Sequence, residues 1–92
     1  MWHIYILECE HKALYVGLTN NIKRRFKEHL VGEGGHYTSY SKPTKTLYHE
    51  KFESRSQAEC REKQLKRWTK EKKLALIRGD FERLKSLSAS RD

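Results

Sequence analysis

The sequence predicts an α+β domain, and three observations predict it. Two short runs rich in branched and aromatic residues, 2–9 (WHIYILEC) and 13–18 (ALYVGL), are separated by only Glu10, His11 and Lys12. A third run of that kind spans 45–53 (KTLYHEKFE). Between and after them, apolar residues recur three and four apart, as they do on one side of a helix. The expected order is β-β-α-β-α-α. The expected organisation is a single domain over 1–79 with a polar tail at 80–92, because 92 residues leave little room for a second core.

Composition narrows the class. Twenty Lys and Arg stand against 12 Asp and Glu, for a net charge of +8. Such a surface suits a polyanion, most commonly nucleic acid, although a merely soluble basic surface explains it equally well. The apolar content suffices for a fold, which argues against wholesale disorder. No apolar run reaches membrane-spanning length. Cys9 and Cys60 form no Cys-x-x-Cys pair, and the histidines fall at no zinc-finger spacing. A strand signal that starts at Trp2 leaves no room for a secretory leader, so a cytoplasmic chain with two reduced thiols is expected.

The first two strands read as a hairpin. Centring its turn on His11 sets Tyr5 opposite Gly17 and Leu7 opposite Tyr15. Because side chains alternate along a strand, Tyr5, Leu7, Tyr15 and Gly17 then share one face, and Ile4, Ile6, Leu14 and Val16 the other. Gly17 is either a bulge or a place where something approaches the backbone closely, leaving the Tyr5 phenol accessible.

Thr19, Asn20 and Asn21 are cap candidates for a helix over about 22–31, which Gly32 would end. Ile22, Phe26 and Leu30 form its inward stripe. Arg25 and His29 lie beside that stripe, while Arg24 points outward with Lys23 and Lys27 around the outer surface. An arginine held there needs a carboxylate or an anion as partner. Residues 32–44 (GEGGHYTSYSKPT) are a loop whose Tyr37 and Tyr40, with Lys42, either meet nucleic acid or cover a sheet edge.

A helix begins at Ser54, capped in the frame Ser54–Gln57 or Ser56–Glu59. Ala58, Leu65 and Trp68 mark its inward side, and Glu62 falls within that arc. A carboxylate there needs a metal ion or an ion pair, for which Lys66 stands one turn on. Thr69 can cap a last helix over about 70–78 that Gly79 closes. The basic stretch KQLKRWTKEKK either tracks a phosphate backbone or is a solvated face.

The triplets His3-Ile4-Tyr5 and Tyr15-Val16-Gly17, followed by Arg25, His29 and Glu62, resemble the GIY-YIG nuclease domain. The segment YVGLTNNIKRRFKEH is similar to that family's second motif and the helix after it. The likeness runs to about Ile77 and is greatest to small bacterial members that consist of this domain alone. The resemblance implies a three-stranded antiparallel sheet flanked by helices and an endonuclease hydrolysing phosphodiester bonds, in DNA, with a role in repair or DNA processing. It implies Tyr5, Tyr15, Arg25 and His29 as catalytic residues and Glu62 as ligand of one Mg²⁺ or Mn²⁺. Gly17, Lys23, Tyr37, Lys42, Lys66 and Arg67 are the candidates for nucleic-acid contact. His3 replaces the name-giving glycine, and Leu18 stands where the family's excinuclease subunit carries lysine. These two features favour the competing reading, a non-catalytic nucleic-acid-binding module with a decayed site.

Overall fold

The computed structural model describes residues 1–30 and 43–89, the side chains at 29, 30, 43 and 89 excepted. Strands β1 (Trp2–Cys9), β2 (Leu14–Thr19) and β3 (Pro43–Phe52) form one antiparallel sheet in the order β2-β1-β3. Helix α1 (Ile22–Leu30) follows the hairpin, and α2 (Arg55–Lys66), α3 (Lys70–Arg78) and α4 (Phe81–Ala89) follow β3. The expected α+β class and antiparallel sheet are both present.

The hairpin has the expected register, with Tyr5 facing Gly17 and Leu7 facing Tyr15. Its turn closes through Cys9 N donating to the Ala13 carbonyl at 2.8 Å, with His11 and Lys12 at φ 63° and 61°. Two consecutive left-handed residues reverse the chain tightly and so fix the pairing.

Alternation then gives β1 two chemically different faces. Ile4 and Ile6, with Val16 of β2, are fully or almost fully buried beneath Ala58 and Leu65 of α2 and Leu76 of α3. Trp2, Tyr48, Phe52, Trp68 and Leu84 surround this core. Burying each of the large aliphatic side chains contributes roughly 1.5–3 kcal/mol. On the opposite face Tyr5, Leu7 and Cys9 are buried with Tyr15 and with Phe26 of α1.

Each helix start is capped by a side chain. Asn21 Oδ1 accepts from Arg24 N at 3.0 Å, Ser54 Oγ from Gln57 N at 3.3 Å, and Thr69 Oγ1 from Lys72 N at 3.2 Å. Of the two frames open for α2, Ser54–Gln57 is the one used. Gly79 closes α3 at φ 72°, in the left-handed region that glycine adopts freely.

The structure departs from expectation in two places. Residues 81–89 form a nine-residue helix where a polar tail with only a short helical turn through Phe81 and Leu84 was expected. Asp80 caps it, accepting from Arg83 N at 3.1 Å, and Leu84 packs against the main core. A nine-residue helix is marginal alone and exists here through that packing. Strand β3 starts earlier than expected and carries two irregularities, so that Thr46 rather than Leu47 pairs with Leu7. A bulge inserts a residue and interrupts alternation. Residue 31, the expected cap Gly32 and the loop as far as residue 42, with Tyr37 and Lys42, lie outside the described residues.

Candidate active site

The second face of the sheet gathers the polar groups. Tyr5 lies in the middle of β1, directly over Gly17. A Cβ at position 17 would collide with the Tyr5 hydroxyl and ring, so glycine makes the room in which this ring lies. The close neighbour of the Gly17 backbone is therefore Tyr5 itself. Both residues are buried, Tyr5 at 2% exposure, and this corrects the expectation of an accessible phenol. Tyr15 packs alongside, its ring centroid 6.4 Å from that of Tyr5.

Helix α1 brings Arg25 over this pair, as its place beside the Ile22–Phe26 stripe required. It lines one small cleft with Tyr5, Leu7, Ile22, Phe26 and Thr46. Its guanidinium donates to the Tyr5 phenol oxygen and to Glu28 Oε1, the latter at 3.1 Å. Burial disfavours the charge on Arg25, but those two hydrogen bonds outweigh it and hold the guanidinium protonated. Burial also dominates at Tyr5. It raises the phenol, the Arg25 hydrogen bond lowers it, nearby Tyr15 and Glu62 raise it, and the result is about 12. The phenol is therefore protonated at neutral pH.

Glu62 comes from α2 and stands within electrostatic reach of the Tyr5 hydroxyl. Its side chain is 19% exposed and pairs with Lys66 Nζ at 3.4 Å. Among the described residues no group of three or more His, Cys, Asp and Glu side chains gathers as a metal cage. Glu62 is thus a single carboxylate with one exposed, easily displaced lysine.

Four of the five residues expected at the site, Tyr5, Tyr15, Arg25 and Glu62, come together around one phenol. The fifth, His29, has its backbone in α1, and its side chain lies outside the described residues. Of the candidates for nucleic-acid contact, Lys23, Lys66 and Arg67 are exposed.

Sequence reasoning passed over several neighbours. An open groove of about 340 Å³ runs along the start of α1 and the end of β2, lined by Arg24 and Asn20 as well as Arg25 and Glu28. Arg24, set aside as solvent-facing, is held in it by Asn20 Oδ1 at 2.8 Å. The pattern Asn20-x-x-x-Arg24, one helical turn, was the available signal. His3 shares the Tyr5 face, and its buried Nδ1 has no hydrogen-bond partner among the described residues. Burial first, then His49 and Lys51 opposite, lower its pKa and favour the neutral ring. Only the β1–β3 register, absent from the sequence, could have revealed that neighbourhood.

The sequence matches the GIY-YIG catalytic domain over residues 1–75. It is 43% identical over 77 residues to a UPF0213 protein of Clostridium perfringens, covering 84% of this chain and 83% of that one. A UPF0213 protein of Haloquadratum walsbyi is 42% identical, with 80% and 83% covered, so relatives occur beyond bacteria. The fold also resembles the solution NMR structure of a UPF0213 protein from Bacillus halodurans, with TM-score 0.54, 33% identity and coverage of 84% and 83%. With a match that spans most of its length and relatives of similar size, this chain belongs to the GIY-YIG family of nuclease-type domains.

Proposed function

We propose that the chain is a metal-dependent endonuclease that hydrolyses phosphodiester bonds in DNA, in repair or DNA processing. The observation that carries this reading is the position of Arg25. Its guanidinium is held by the buried Tyr5, and the same residue borders an open groove of about 340 Å³.

The donor set suits a hard divalent ion. Mg²⁺ commonly takes one or two protein carboxylates and fills its remaining positions with water and substrate phosphate. Glu62 supplies one such carboxylate, and Mg²⁺ or Mn²⁺ is the ion it fits. Displacing Lys66 is inexpensive, because a pair with one partner 53% exposed is worth at most about 1 kcal/mol. When bound, the ion supplies charge neutralisation at the phosphate and the departing oxygen.

The chain's own residues divide the rest of the work. Arg25, permanently charged and preorganised by Tyr5 and Glu28, stabilises charge that builds on the phosphate in the transition state. Of the two tyrosines that could orient the attacking water, the partly exposed Tyr15 is the one open to it. The sealed Tyr5, at about 12 and so protonated at neutral pH, holds the Arg25 guanidinium in place. The Tyr15 ring packs beside the Tyr5 ring, the centroids 6.4 Å apart. His29 exchanges a proton with solvent or substrate, and Arg24 and Lys23 guide the backbone towards the groove.

A second reading, a nucleic-acid-binding module without catalysis, is favoured by a specific observation. Tyr5 is sealed at 2% exposure while Glu62 is already neutralised by Lys66. Cleavage of labelled single-stranded, double-stranded and flap DNA with Mg²⁺, Mn²⁺ or EDTA, beside Glu62→Ala, separates the two. The nuclease reading expects metal-dependent cutting that the variant loses. Equal binding without cutting by either protein supports the binding module.

A further inference from the structure

A second cationic groove lies away from the tyrosine face, at the corner between α2 and α3. It is open, about 470 Å³ in volume, and contains Lys63, Arg67 and Lys72 together with Gln64, Trp68 and Cys60. No carboxylate lines it. The acidic residues nearby are engaged elsewhere, Glu59 by Arg55, Glu62 by Lys66 and Glu71 by Arg83. Lys63, Arg67 and Lys72 have no carboxylate partner among the described residues. Three uncompensated cations on one concave surface attract an extended polyanion.

Trp68 decides what kind of contact this is. Its ring lies beneath the Lys72 ammonium at 4.5 Å and the Arg61 guanidinium at 5.3 Å. With two cations over it, the indole holds charge in place and is not an open platform for a base. The capped start of α3 at Thr69 also borders the groove and adds its positive end. Such a surface contacts phosphates and reads no sequence.

We infer that this corner groove is a second phosphate-backbone contact for nucleic acid, engaging the substrate strand beyond the part held at the tyrosine face. The inference rests on the nuclease reading for its occupant. At about 100° per residue, Lys63 and Arg67 lie a quarter turn or more round α2 from Glu62. A strand touching both places therefore crosses one helix, a width of about 10–12 Å with side chains. Oligonucleotides too short to cross gain nothing from the groove, and longer ones do.

The test measures binding of a fluorescently labelled single-stranded oligonucleotide, long enough to span both places, over a range of salt. It compares the wild-type chain with Lys63→Ala/Arg67→Ala and with that pair plus Lys72→Ala. Loss of three phosphate contacts should lower the slope of log K against log salt by about 2 for single-stranded DNA. The double variant, which keeps Lys72 on Trp68, should show a smaller drop. A second readout needs no substitution. Cys60 is an exposed thiol within the groove, whereas Cys9 is buried, so maleimide labelling of the wild-type chain reports on Cys60 alone. Saturating oligonucleotide should slow that labelling severalfold.

Unchanged affinity and slope in the triple variant, or labelling as fast with oligonucleotide as without, overturns the inference. If the wild-type chain cuts DNA while the groove variants bind it normally, this inference falls and the nuclease reading stands. If binding depends on the groove but no cutting occurs, the nuclease reading falls and the groove stands.

Discussion

The two faces of β1 are buried almost equally, yet they do different things. Ile4 and Ile6 point into a mainly apolar layer beneath three helices. Tyr5, between them in sequence, points the other way onto Gly17, Arg25 and Tyr15. Ile4 is 0% exposed and Tyr5 2%, so burial alone does not distinguish core from site. The distinction is in the company each keeps. One face is mainly aliphatic, with its polar groups, Glu50, Arg61 and Tyr48, paired at the margin, and the other has a phenol, a guanidinium and a carboxylate at its centre that satisfy one another.

That contrast can be broken most forcefully on the apolar side. Ile6→Ala should destabilise the fold by about 2–5 kcal/mol, read by thermal or urea unfolding, without changing cleavage per folded molecule. On the tyrosine side the order of effects should reverse. Arg25→Ala should lower the cleavage rate by about 100- to 1000-fold, the range found for removing a preorganised transition-state donor. Its stability cost should be about 1–3 kcal/mol, set by the buried Tyr5 phenol losing the Arg25 hydrogen bond and not by the exposed Arg25–Glu28 pair. Gly17→Ala tests the boundary between the faces. Its Cβ has no space until the Tyr5 ring moves, so overpacking of about 1–3 kcal/mol should accompany lost cleavage.

A smaller effect separates the faces by pH. On the apolar side Glu50 accepts two hydrogen bonds from Arg61, at 2.9 and 3.0 Å, and one from Tyr48. Burial raises its pKa, but the Arg61 and Tyr48 hydrogen bonds outweigh that and lower it overall. A depressed carboxylate stabilises the fold above its unfolded pKa, and that contribution is lost as pH falls through the folded value. Glu50→Gln should therefore cost about 1 kcal/mol at neutral pH and progressively less on acidification below the usual carboxylate range. The smallest expected change belongs to Lys66→Ala. Stability should shift by less than about 0.5 kcal/mol, while Mn²⁺ binding measured by calorimetry should tighten because Glu62 loses its competitor.

Much of this was legible in the sequence, for local reasons. Centring the short polar turn on His11, one register among those the sequence allowed, gave the pairing the structure has, and with it the separation of Tyr5 from Ile4. The spacing of Ile22 and Phe26 predicted that Arg25 leans inward and Arg24 does not, and Arg25 does meet the phenol. What could not be read depends on distant parts of the chain. Helix α4 is too short to stand alone and is held by Leu84 on the common core. The irregularities of β3, which bring Thr46 beside Leu7, come from pairing across the sheet. The burial of Tyr5 depends on α1 closing over it, although both partners were visible separately.

The most direct measurement is cleavage by Tyr5→Phe, taken together with its unfolding temperature. Phenylalanine keeps the ring over Gly17 and removes only the hydroxyl that faces Arg25. If the tyrosine face is a chemical site, cutting should fall by about 100-fold or more while the unfolding temperature stays close to wild type. Undiminished cutting by this variant would contradict that claim and reduce the second face to another piece of core.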